Sequence, residues 1–206
     1  MRSGALTMQS LLLMVDKIST RIGQLSAWSI VALTLMIGWE VFSRYLLSNP
    51  HPWVMDASNM LYGVLFMMAG AYTLSKNGHV RGDVLYGFFQ PRTQAFFDLV
   101  LYLLFFVAGI VALVYAGWDF FTTSLAQNER SSIAADGPPI YPFKAIIPIA
   151  GLLLLLQGFV EIIRCIVCLK EGQWPSREHD VEEVDVDKLK AMVSSHTSDN
   201  KAGAKL

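Results

Sequence analysis

Cysteine is nearly absent from this chain: its 206 residues include only Cys165 and Cys168. A disulfide framework needs several paired cysteines, so none is expected, and two thiols inside an apolar run do not report a redox compartment. Histidine is scarce as well. His51, His79, His179 and His196 all fall outside the long apolar runs, which leaves no axial ligand for haem within them. Charged residues make up 16% of the chain, with a formal net charge of −1 and no basic block, so no nucleic-acid surface is expected. Walker, zinc-spacing and nucleophile–base patterns are missing. The acidic stretch around Asp185 and Asp187 has neither the glycine nor the closing glutamate of a calcium loop. No cofactor, metal site or catalytic centre is therefore expected.

Apolar sequence is what the chain has instead. Hydrophobic residues make up 53% of it and the mean hydropathy is +0.43, which suits a lipid solvent better than water. Four runs, 25–45, 53–75, 96–118 and 146–169, approach or exceed the roughly 20 helical residues that cross a hydrocarbon core. With no water to satisfy free amides in a bilayer, such runs must be helical, and the alternation of a membrane barrel is absent. The expected fold is an all-α membrane protein with four transmembrane helices.

The N-terminal segment 1–24 adds an amphipathic pattern. Leu11, Val15, Ile18, Ile22 and Leu25 repeat on one side, with Asp16, Lys17, Thr20 and Gln24 on the other, which predicts a helix lying on the membrane surface. Its apolar stretch Leu11 to Val15 is short and cut by Asp16 and Lys17, so no cleavable signal peptide is expected. Val84, Leu85, Phe88 and Phe89 suggest a second, shorter surface helix between Gly82 and Pro91. The connection 46–52 is short and predicts an antiparallel hairpin. In 119–145, Gly137, Pro138, Pro139 and Pro142 block regular structure over much of the length. Residues 170–206 turn polar and acidic, then Ser/Lys/Gly-rich, and are expected to be a disordered tail. Near the span ends, nine Lys/Arg lie on the N-terminal side (Arg2, Lys17, Arg21, Lys76, Arg81, Arg92, Arg164, Lys170, Arg177) against three opposite (Arg44, Arg130, Lys144). Both termini are thus expected to be cytoplasmic.

Glu40 and Arg44 stand one helical turn apart near the far end of the first span. Charges at membrane depth are functional candidates, but one ion pair does not make a pathway, so a structural pair is the preferred reading. Glu161 and Arg164 near the end of the last span invite the same reading. Cys165-Ile166-Val167-Cys168 has the spacing of a thiol redox pair. A four-span thiol/quinone oxidoreductase is therefore the rival class, although that chemistry needs a lowered thiol pKa and a second thiol pair. A complete secondary transporter usually shows repeated halves and broken helices. Four plain spans fit a helper subunit better, with a free-standing membrane scaffold as a further alternative.

The ordered elements Glu40-Val-Phe-Ser-Arg44-Tyr45, Pro52-Trp53-Val-Met-Asp56 and Lys76-Asn-Gly-His79-Val80-Arg81-Gly82-Asp83 resemble the small, Q-type membrane subunit of tripartite ATP-independent periplasmic (TRAP) transporters. In that family an Arg-Tyr pair closes the first span, a Trp and an acidic residue open the second, and a His-apolar-x-apolar-Asp element follows it. Gly82 departs from the apolar residue usual there, and Asp56 stands where Glu is commoner. Pro142, Lys144 and Pro148 before Gly151 are also similar to the lead-in of the family's last span. The resemblance implies a non-enzymatic subunit of the bacterial inner membrane. Its partners would be a large membrane subunit carrying substrate and sodium and a periplasmic substrate-binding protein. Glu40, Arg44, Tyr45, Trp53, Asp56, His79, Arg81 and Asp83 become candidates for partner-interface or structural roles.

Overall fold

The computed structural model describes residues 2–78, 86, 88–133 and 137–175, with side chains from Met8 onward. The helices are α1 (Arg2–Ala27), α2 (Ser29–Leu46), α3 (Trp53–Ser75), α4 (Pro91–Leu101), a π-helical turn (Tyr102–Val107), α5 (Ala108–Ala126), α6 (Tyr141–Lys144) and α7 (Ile146–Glu171). Four helical runs are long and apolar enough to cross a membrane: Met8–Leu46, Trp53–Ser75, Pro91–Ala126 and Tyr141–Glu171. Among the described residues the only β-type pairing is an isolated bridge between Arg130 and Pro139.

Three of these runs are longer than the apolar sequence suggested, the last because it takes in α6 ahead of α7. α1 and α2 are separated only at Trp28, whose carbonyl accepts from both Val31 N–H (3.1 Å) and Ala32 N–H (3.2 Å). The expected surface helix and first span thus form one helical run of 39 residues from Met8, roughly 58 Å of helix and about twice a hydrocarbon core. The third run begins at Pro91, where the missing N–H and fixed φ suit a first helical turn, and reaches Ala126 well into the expected connection. Val84 and Leu85 of the suggested second surface helix, and the tail beyond Pro175, lie outside the described residues.

The helix termini follow from local chemistry. At the end of α2 the Ser43 carbonyl accepts from Leu47 N–H (3.2 Å) and Asn49 N–H (3.1 Å), and the Ser43 hydroxyl donates to the Asn49 carbonyl at 2.7 Å. These bonds use carbonyls that a helix end otherwise leaves open.

α7 is the central element, packing against α1, α3, α4, α5, α6 and the π turn. Small residues let its neighbours approach, as is usual between membrane helices. A Cβ at Gly151 would come within 2.6 Å of Val114, one at Gly117 within 2.8 Å of Ile147, and one at Gly158 would overlap the Phe106 ring. Toward the end of α7, Cys165 and Cys168 pack against Ala95 of α4, ringed by Leu99, Tyr102, Leu169 and Trp174.

Candidate functional site

The polar side chains gather in two groups. At the end holding the α2–α3 turn, Glu40 is the centre. Its Oε1 accepts from Arg44 Nη2 at 2.8 Å and Nε at 3.2 Å, and the His51 backbone N–H reaches both oxygens at 3.1 and 3.2 Å. His51 Nδ1 stands 3.1 Å from Oε2. Glu40 therefore does more than pair along its own helix, because it also satisfies a backbone donor of the turn that follows. Arg44 is half exposed while Glu40 is nearly buried, so the carboxylate is the fixed member of the pair.

Asp56, in the first turn of α3, is 3% exposed. Its Oδ1 accepts from the Ser131 hydroxyl, while Oδ2 has no hydrogen-bond partner. The positive end of the α3 dipole favours a carboxylate at this position. Close by in sequence, Glu129 pairs with Lys144, whose ammonium also sits 3.8 Å from the Phe120 ring centroid. The hydrogen bond from Lys144 holds the Glu129 carboxyl below the usual carboxylate range. Together with the Arg130–Pro139 bridge, these contacts tie the α5–α6 connection to the helix ends.

The second group lies deeper. Arg164 and Glu161 are each 1% exposed and Gln157 is fully buried. Arg164 Nη1 donates to Glu161 Oε1 at 2.7 Å and Nη2 donates to Asp16 of α1. Gln157 Nε2 donates to Asp16 Oδ1 at 2.8 Å, and its Oε1 accepts from Ser19 at 2.9 Å. A charge buried this thoroughly is tolerated only when paired and hydrogen-bonded.

This group shows which side of α1 meets the bundle. Asp16 and Ser19, on its polar side, are buried. Leu12, Asp16, Ser19 and Gly23 form the seam that faces the bundle, and Leu11, Met14, Ile18 and Leu25 are exposed. Arg164, already paired with Glu161 on its own helix, gains a second counter-charge from Asp16 of α1. Residues 12, 16, 19 and 23 follow the 4-3-4 spacing of a helix seam, but Leu11, Val15, Ile18 and Ile22 have the same spacing, so spacing alone does not identify the inward face.

Of the candidate residues, the structure brings Glu40 and Arg44 together and adds His51. Asp56 is buried in a separate pair with Ser131. Tyr45 is 78% exposed, and Trp53, about half exposed, meets the His51 ring edge-on with centroids 6.3 Å apart. His79, Arg81 and Asp83 lie outside the described residues. Among the described residues no group of three or more His, Cys, Asp or Glu could hold a metal.

Paired, structural polar groups on four apolar spans are the setting in which the sequence comparison becomes decisive. Residues 33–168 match the family described as Tripartite ATP-independent periplasmic transporters, DctQ component. The chain belongs to this family. No curated protein matches it in sequence. As a TRAP small membrane component it is part of a transporter and not an enzyme. The thiol oxidoreductase alternative falls with that assignment, and both cysteines are in any case buried.

Proposed function

We propose that this TRAP component acts as the small permease subunit that braces a large membrane subunit. The assembly would perform sodium-driven, binding-protein-dependent uptake of an organic acid or similar solute across the bacterial inner membrane, with both termini of this chain cytoplasmic. The observation that carries the bracing role is the mismatch between the helices' two sides. The polar groups face inward and join the helices of this chain, whereas α2 and the third run leave broad apolar faces unpacked. On α2, Thr34, Leu35, Gly38, Trp39 and Phe42 line an open apolar groove of about 440 Å³. A Cβ at Gly38 would meet nothing within 4 Å. A glycine-floored groove with aromatic walls suits a side chain of a neighbouring membrane helix.

The test is co-purification with the large subunit, then uptake in liposomes supplied with the binding protein and a sodium gradient. Both subunits should be required. Full uptake by the large subunit and binding protein alone would refute the bracing role. Reporter fusions after Ser75 should read cytoplasmic and fusions near Ser131 external, and the reverse pattern would overturn the orientation.

A further inference from the structure

Exposed charge fixes the depth of the third run in the bilayer. Asp119 is exposed and belongs on the water side of that run's far end, with Trp118 just inside it. Roughly 20 helical residues cross a hydrocarbon core of about 30 Å, so the opposite boundary falls near Leu99. Phe96 and Phe97, each about half exposed, stand at that boundary. The Phe97 ring lies 5.9 Å from Phe96 and 5.8 Å from Phe89, and Phe88 beside Phe89 is exposed as well. Arg92 precedes Phe96 by one turn, on the same face and about 6 Å further along the axis. Headgroups occupy this depth, adding roughly 5–8 Å beyond the hydrocarbon on each side.

Arg92 is exposed, and its Nη2 reaches the Lys170 carbonyl at 3.5 Å. That contact brings Lys170, itself exposed, alongside and occupies only one guanidinium nitrogen. Among the described residues neither cation has a carboxylate partner. Asp98 is buried and accepts from Tyr86. We propose that Arg92 and Lys170, with the phenylalanines 88, 89, 96 and 97, bind an anionic phospholipid in the leaflet on the side of the chain's termini. The two cations meet its phosphate, and the exposed rings receive the start of its acyl chains. Guanidinium suits phosphate because its planar fork donates in pairs, and cations at this depth attract anionic headgroups. A docked protein segment would have to bring its own carboxylates to this depth, whereas an anionic lipid already carries its charge there. The inference rests on the chain spanning the bilayer and not on the transport role.

Native mass spectrometry of the purified full chain counts the lipids it retains. Phosphatidylglycerol and phosphatidylcholine with identical acyl chains are offered in equal amounts, and the parent should retain phosphatidylglycerol preferentially. Arg92→Gln and Lys170→Gln should each lower that retention by about fivefold, the scale of one cation near an anionic surface, and leave phosphatidylcholine unchanged. Arg92→Lys should recover most of the loss. Lys170→Gln removes no side-chain contact among the described residues, so its result stands even if Arg92→Gln folds poorly. Arg21→Gln, which removes an exposed cation of α1, should have no effect. Equal retention of the two lipids, or an equal loss in Arg21→Gln, would reduce the effect to general surface charge and overturn the site. Release of phosphatidylglycerol by inorganic phosphate would assign the cations to a free anion and overturn the lipid. In membranes, Phe88→Cys should react with a permeant maleimide equally with and without the large subunit. Protection by that subunit would give the patch to a protein and likewise overturn the lipid.

Discussion

The glycines allow one chemical change to be given opposite signs at different positions. Replacing a helical glycine by alanine normally stabilises a helix by about 0.8–1 kcal/mol. At Gly38 and Gly109 a Cβ would meet no neighbour within 4 Å, so Gly38→Ala and Gly109→Ala should show that gain in the isolated subunit. At Gly158 the Cβ would overlap the Phe106 ring, and at Gly151 it would lie 2.6 Å from Val114. Overpacking of this kind costs roughly 1–3 kcal/mol, which cancels or reverses the propensity gain. For a chain of this size 1 kcal/mol moves the unfolding midpoint by about 2–4 °C. Gly158→Ala should therefore unfold roughly 2–12 °C below Gly109→Ala, the overpacking cost multiplied by that sensitivity. Thermal unfolding of detergent-purified protein, followed by tryptophan fluorescence, measures the difference. Adding Phe106→Leu to Gly158→Ala should recover part of it by withdrawing the ring. Equal midpoints for Gly158→Ala and Gly109→Ala would refute the packing account. A second measurement concerns Gly38→Ala: if α2 presents its groove to the large subunit, this variant gains stability alone but co-purifies less of its partner.

At Glu40 the two members of the pair should respond unequally. Glu40→Ala removes the acceptor for Arg44 and for the His51 N–H together, whereas Arg44→Ala leaves Glu40 holding His51; co-purified complex should fall more for Glu40→Ala, and equal losses would count against the carboxylate as the fixed member. For Glu129 the sign follows from its lowered pKa: the stabilisation from Lys144 is complete above the unfolded carboxylate value of roughly 4.3 and is lost as pH falls through the lower folded value. Acid melts of Glu129→Gln should therefore show a flatter pH dependence than the parent below about pH 4, and identical profiles would contradict the pairing. Cys165 and Cys168, packed on Ala95, should resist maleimide in the folded protein and react after denaturation. Labelling at equal rates in both states would show the site to be open.

How much was legible in the sequence depended on how local the signal was. α3 matches the expected 53–75 because Pro52 precedes it and the turn Asn77-Gly78 ends it, with Asn77 at a positive φ of 56°. The start of the third run was less visible, because Arg92 and Gln94 lie ahead of the apolar run expected at 96–118 and Asp98 interrupts it. In the fold these side chains have partners: Tyr86 donates to Asp98 at 2.7 Å, Gln94 donates to the Tyr86 carbonyl, and Trp174 donates to Gln94. The π turn Tyr102–Val107 carries no proline, glycine or polar residue, and nothing in its sequence distinguishes it from α-helix. Glu40–Arg44 is an i,i+4 pair and legible as such. His51 joins from across a turn, Ser131 reaches Asp56 over 75 residues, and Arg164 reaches Asp16 over 148. No periodicity reports such pairings.

These long-range pairs also bear on which parts of the subunit can move. Glu40 with His51 fixes α2 to the start of α3, Asp56 with Ser131 fixes α3 to the connection after α5, and Glu129 with Lys144 closes that connection onto the approach to α7. At the other end, Arg92 reaches the Lys170 carbonyl, and Cys168 donates weakly to the Pro91 carbonyl. Spans tied by these pairs, with glycine-mediated contact along α7, resist sliding past one another, because a displacement would break a polar pair as well as apolar packing. In the proposed assembly a rearrangement large enough to carry a solute would then fall to the large subunit.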